Sequence, residues 1–347
     1  MTIQNILYRC LLVGMLLLLD SCGGGAGGTV AEGGIGGTGI SNGPITGFGG
    51  IFVNGIEYDT QNAEIIVEGS SAGTGDAAVL NTLAVGKVVT VEGSIPSGTQ
   101  ATATRVYFND NVEGPIQSIT VIDANTRELT VLGQRVVATA DTRFEDVALG
   151  SLAVNNLVEV SGLVRDDGAI QATFIEKKSD TFSDGDSVEV KGVISNLDAL
   201  AQTFTIYALT VSYAGADLSD LEAPLADGSS VEVKGIFSAG TLLASEIESE
   251  DDLNLSTTTS WLEIEGYISS VVSATEFVLN NVRVRTTVST RFDDGAAADL
   301  IAGARIEVKG AYSGGILTAE EIEFRDDVTL QAKVDSVAAD SLTLVGI

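Results

Sequence analysis

The pentapeptide Val-Glu-Val-Lys-Gly stands at Val188–Gly192 and again at Val231–Gly235, and it returns as Ile-Glu-Val-Lys-Gly at Ile306–Gly310. Looser copies read Val-Thr-Val-Glu-Gly at Val89–Gly93 and Val-Glu-Val-Ser-Gly at Val158–Gly162. Nine or ten residues beyond the glycine of each mid-repeat copy comes an Ala-x-x-hydrophobic tag, headed by Ala103, Ala172, Ala244 and Ala319. The mid-repeat glycines Gly93, Gly162, Gly235 and Gly310 are 69, 73 and 75 residues apart. That spacing is too long for a solenoid coil and suits one small β domain per repeat.

Repeat 3 shows the plan of the unit. Val188–Ser195 alternates apolar and polar, and Thr203–Tyr207 and Leu209–Tyr213 are two β-rich runs. An irregular, partly helical connection is expected at Ala214–Gly228, followed by a strand at Ser230–Phe237, a turn at Ser238–Gly240 and a last strand at Leu242–Ile247. In Val231-Glu232-Val233-Lys234 the valines face one side of the strand and the charges the other. Gly235 permits the bend or bulge that wraps a short sheet around a core. Closure into a barrel removes the exposed edges, and five strands with a connection after the third resemble the OB-fold plan.

The expected fold is therefore all-β: tandem five-stranded OB-like barrels with short helical connections. The barrels are placed at residues 45–110, 111–179, 187–249 and 261–326, with a partial fifth at 329–347 that stops after two strands. Repeat 1 is the most divergent, and its Phe52-Val53-Asn54-Gly55-Ile56 reads as a tight hairpin. The polar or acidic stretches Ser179–Asp186 and Glu248–Ser260 are expected to be hinges.

Ahead of the barrels lie Arg9, an apolar run from Cys10 to Leu19, and Leu19-Asp20-Ser21-Cys22. A run of this length is too short to span a bilayer, which takes roughly 20 apolar residues, and it reads as a secretory signal. Leu19 and Ser21 before Cys22 resemble the lipobox of bacterial lipoproteins, with Asp20 as a departure from it. The resemblance implies a signal peptide at 1–21, acylation of Cys22 and a glycine-rich tether over 22–44. Gly23 after the cysteine favours the outer membrane by the same resemblance. The other cysteine, Cys10, falls in the signal, so the mature domains are expected to hold no disulfide.

Gly47-Phe48-Gly49, the Phe-Val-Asn-Gly hairpin and Val-Glu-Val-Lys-Gly with its downstream Ala-x-x-Ile-Glu together resemble an uncharacterised family of bacterial lipoproteins with tandem small β-barrels. This is the domain of unknown function 5666 type. The resemblance covers residues 45–347 and implies the fold; it carries no activity and no catalytic residue.

The chain contains no histidine, which removes Ser-His-Asp and Cys-His nucleophile arrangements and histidine-ligated metals. Its formal charge of −30 repels phosphate backbones and anionic head groups, so nucleic acid is not an expected partner. Acidic loops at Asp166-Asp167-Gly168 and Asp293-Asp294-Gly295 offer oxygen ligands to calcium, although Asp-Gly is equally a turn dipeptide. Of the aromatic residues near the second and third strands of repeat 3, Phe204, Tyr207 and Tyr213, core packing is the expected role, with stacking on a glycan the alternative. Trp261 is expected to cap a domain junction. The functional expectation is a lipid-anchored, non-enzymatic structural or interaction protein of the cell envelope without a cofactor. The alternative is a glycan- or calcium-binding envelope protein.

Overall fold

The computed structural model describes residues 38–250, 253, 255, 258–325, 334–337 and 342–344. The signal segment, Cys22 and the tether up to residue 37 lie outside the described residues. Repeat 1 contains β1 (Thr38–Phe48), β2 (Ile51–Val53), β3 (Ile56–Asp59), β4 (Glu64–Val67), β5 (Ser70–Thr74), α1 (Asp76–Thr82), β6 (Val88–Ser94) and β7 (Gln100–Phe108). Repeat 2 contains β8 (Val112–Val121), β9 (Arg127–Val131), β10 (Gln134–Ala138), β11 (Arg143–Glu145), β12 (Leu157–Val164) and β13 (Ile170–Ser179). Repeat 3 contains β14 (Ser187–Asp198), β15 (Thr203–Ile206), β16 (Leu209–Ser212), β17 (Ser230–Ser238) and β18 (Thr241–Ser249). Repeat 4 contains β19 (Thr258–Ser273), β20 (Glu276–Leu279), β21 (Val282–Arg285), β22 (Arg291–Asp293), β23 (Arg305–Ser313) and β24 (Ile316–Phe324). Two short antiparallel strands, β25 (Val334–Val337) and β26 (Leu342–Leu344), follow.

In repeat 3 the hydrogen-bonded order runs β14-β15-β16-β18-β17 and returns to β14, which closes a five-stranded barrel. The same cycle closes β8-β9-β10-β13-β12, β19-β20-β21-β24-β23 and β1-β2-β3-β7-β6. The apolar side of each repeated motif fills its barrel: Val89, Val91, Val158, Val160, Val231, Val233, Ile306 and Val308 are all buried. Each such side chain stabilises its barrel by roughly 1.5–3 kcal/mol.

Both tags of the repeat have one cause. The fourth strand of each barrel shifts register against the fifth at Gly93, Gly162, Gly235 and Gly310. A Cβ at any of these glycines would collide with the carbonyl oxygen of Thr102, Gln171, Leu243 or Thr318, the residue just before the tag alanine. The bulge needs glycine on one strand and a small residue on the other.

Three expectations are corrected. The chain joins the first barrel at Thr38, ahead of the expected boundary, because residues 38–44 pair with β6. The connection at Ala214–Gly228 forms turns with no helix; Asp217 accepts the Ser219 amide and its own amide bonds the Ser245 carbonyl. Helical connections do occur as α1 in repeat 1 and as single 3-10 turns at Leu149–Ser151 and Ala297–Asp299.

Ser179–Asp186 is not a hinge. Phe182 packs its ring 6.1 Å from that of Phe237 and exchanges hydrogen bonds with Asn155, and Asn156 bonds the Asp180 carbonyl. The repeats also pair out of chain order. Glu113 and Val112 of β8 lie opposite Glu189 and Val190 of β14, merging repeats 2 and 3 into one sheet and one apolar core. Residues Gly39–Asn42 of β1 run parallel to Trp261–Ile264 of β19, merging repeats 1 and 4. Trp261 thus sits at a domain seam, as expected.

Candidate functional site

The charged side of the repeated strand determines how the barrels meet. Thr90, Glu159, Glu232 and Glu307 occupy the same repeat position, and all four are buried. A carboxylate buried there must find a cation, a hydrogen-bond donor or a proton. At the meeting of repeats 1 and 2, buried Lys87 lies 2.9 Å from Glu159 and 4.2 Å from the Phe108 ring centroid. Lys178 reaches the other oxygen of Glu159 at 2.7 Å. Burial pushes the Glu159 carboxyl up, and the two lysines outweigh it and hold the group below its ordinary range.

In repeat 3 the pattern repeats: Lys234 and Lys191 lie 2.5 and 3.6 Å from Glu232. Four neighbouring acids receive no such cation. Glu68, Asp110, Glu113 and Glu189 form no ion pair among the described residues, although Asp110 is buried and the other three are half-buried. Oxygens of Asp110, Glu113 and Glu159 lie within 4.8 Å of one another, as do those of Glu68, Glu189 and Glu232. The two groups adjoin, because the Asp110 amide donates to Glu68 Oε1 at 2.9 Å. Burial, with the Glu68 and Glu159 charges, holds the Asp110 carboxyl well above its ordinary range. Burial and hydrogen bonds to Glu68 and Glu232 push Glu189 up to about 12.

A cavity of about 480 Å³ is lined by residues of all four repeats. Tyr107, Tyr207, Tyr267 and Tyr312 line it, four of the seven tyrosines of the chain, together with amides that include Asn42 and Asn280. The two-residue turns between second and third strands deliver several of these groups. Tyr207 (φ 49°), Asn280 (φ 46°) and Asn281 (φ 60°) adopt the left-handed backbone of such turns. Asn54-Gly55 forms the equivalent turn of repeat 1, as the sequence indicates.

The aromatic residues singled out in repeat 3 divide. Phe204 is buried, its ring 5.7 Å from that of Tyr213, whereas Tyr207 is 48% exposed and faces the cavity. The acidic loops are placed in turns. Asp167 accepts the Ala169 amide and pairs with Arg135, while exposed Asp166 lies beside Gly303. Asp293 pairs with Arg291, and Asp294 takes the left-handed backbone (φ 58°). Among the described residues, none of these four joins a group of acids close enough to share an ion.

Sequence reasoning missed Glu68, Asp110, Glu113 and Glu189. The signal was available only in part: an acid alternating with valines in a strand whose other face fills a barrel.

The closed cycle of strands, repeated along the chain, defines a protein of tandem five-stranded β-barrels. The sequence profile of the domain of unknown function DUF5666 matches residues 40–107, 113–176, 195–248 and 265–323, and the chain belongs to that family. Among curated proteins none is significantly similar in sequence. A solved structure, Drosophila Unr CSD456, aligns at 13% identity over 63% of this chain and 98% of that one. Its TM-score of 0.16 means that the likeness carries no argument.

Proposed function

We propose that the chain is a lipid-anchored, non-enzymatic protein of the cell envelope, tethered through Cys22, whose four barrels act as one binding body. Its ligand is a neutral envelope glycan held in the cavity among the repeats. The observation that carries this reading is the lining of that cavity, tyrosines interleaved with asparagines. Tyrosine faces stack on sugar rings while side-chain amides both donate to and accept from hydroxyls. A formal charge of −30 opposes anionic ligands, which leaves neutral saccharides favoured.

The test is a binding screen of the full chain, in detergent, against neutral oligosaccharides, with Tyr207→Ala and the control Leu200→Ala, a residue 99% exposed. Binding that Tyr207→Ala weakens roughly tenfold, about 1.4 kcal/mol, supports the glycan reading. No binding at millimolar sugar would leave the purely structural role.

A further inference from the structure

We propose that a divalent cation of the calcium class binds where repeats 1, 2 and 3 meet, with Asp110, Glu113 and Glu159 as its first carboxylate ligands and Glu68 beside them. Three independent features point to it. The first is distance. Calcium bonds oxygen at roughly 2.3–2.6 Å, so ligands on opposite sides of one ion stand roughly 5 Å apart. The three oxygens of Asp110, Glu113 and Glu159 all lie within 4.8 Å of one another.

The second is an oxygen without a partner. Asp110 is 3% exposed, and its Oδ1 accepts no hydrogen bond from any described residue. Its carboxylate reaches into a cavity of about 400 Å³ that Glu68, Glu113, Glu159 and Glu189 also line. A buried carboxylate oxygen left without a donor is costly, whereas an ion satisfies it outright.

The third is register. Glu113 and Glu189 lie directly opposite each other where β8 meets β14, and like charges so placed repel. The nearby lysines form ion pairs with other carboxylates: Lys87 and Lys178 with Glu159, and Lys191 and Lys234 with Glu232. Two of the carboxylates are thereby fixed in place, while Asp110, Glu113, Glu68 and Glu189 have no ion-pair partner among the described residues. The oxygen-only donor set suits a hard cation, and the absence of histidine and of cysteine near it disfavours zinc.

Asp110 belongs to the segment joining repeats 1 and 2. The Asn111 amide donates to Val160, the Asn111 carbonyl accepts from the Lys191 amide, and Asn111 Oδ1 accepts from Gly162. An ion there ties this segment to repeats 1 and 2, beside repeat 3.

The experiment is calorimetric titration of the chelator-treated full chain with calcium chloride alone at pH 7. Calcium should bind. Asp110→Asn and, separately, Glu113→Gln should each weaken binding at least tenfold. Asp166→Asn and Asp293→Asn should leave it unchanged. No heat at millimolar calcium would overturn the site, as would a wild-type affinity in both Asp110→Asn and Glu113→Gln. Loss of binding in Asp166→Asn or Asp293→Asn alone would move the ion to the exposed loops and equally overturn it.

Discussion

Glu263 and Glu307 of repeat 4 occupy the positions that Glu189 and Glu232 occupy in repeat 3, and the two pairs differ in what surrounds them. At the seam of repeats 1 and 4, Glu263 faces Ser41, whose hydroxyl donates to it at 3.1 Å, while Glu307 is held by Arg325. Burial and the neighbouring Glu307 charge push Glu263 up to about 9, so this acid holds a proton at neutral pH. At the other junction the neighbours of Glu189 are Glu68, Glu113 and Asp110, all acids. A repeat can carry a buried acid into every seam, and the neighbouring repeat decides whether a hydroxyl, a base or an ion completes it.

The largest effect should come from Lys87→Met, which strips Glu159 of its most buried partner. Removing one member of a buried pair costs about 3–5 kcal/mol, read as a fall in the denaturant midpoint. A loss under about 1 kcal/mol would mean that Lys178 alone suffices.

Next in size is the contrast between Glu189→Gln and Glu263→Gln at pH 8 without calcium. At pH 8 both acids hold in the fold a proton that the unfolded chain gives up, a cost the neutral amide avoids, so Glu189→Gln should stabilise by on the order of 1 kcal/mol and Glu263→Gln by less. Equal gains would show that the two seams do not differ as described.

The smallest effect is the shift with pH. Glu189, Glu263 and Asp110 bind protons more tightly folded than unfolded, so stability falls as pH rises above about 5. Glu159 and Glu232 bind them less tightly, so their contribution is lost as pH falls through the ordinary carboxylate range. The melting temperature of the calcium-free chain should therefore peak near pH 5 and decline toward pH 8. Saturating calcium should flatten that decline.

The succession of five strands along a repeat was legible because alternation, glycine bulges and alanine tags are local to one repeat. The pairing of repeat 1 with 4 and of 2 with 3 was not, because the residues that decide it are far apart in sequence. Glu189 reads as the solvent side of an amphipathic strand until Glu113 and Glu68 close over it. Ser179–Asp186 reads as a hinge because its composition is acidic, while its docking rests on the Phe182 ring and on hydrogen bonds with Asn155 and Asn156. The cavity tyrosines likewise belong to three different repeats and share no motif.

The parallel seam between β1 and β19 has a consequence for how the chain is made. Ser41 and Glu263 are 222 residues apart, so a chain emerging from its N-terminus completes three barrels before the last partner of its first strand exists. Throughout that interval one edge of Gly39–Asn42 is open to any passing strand, the exposure that invites misassembly between nascent chains. The joining of repeat 1 to repeat 4 is therefore a late, slow event set by loop entropy, and a chain truncated before repeat 4 would carry that open edge permanently.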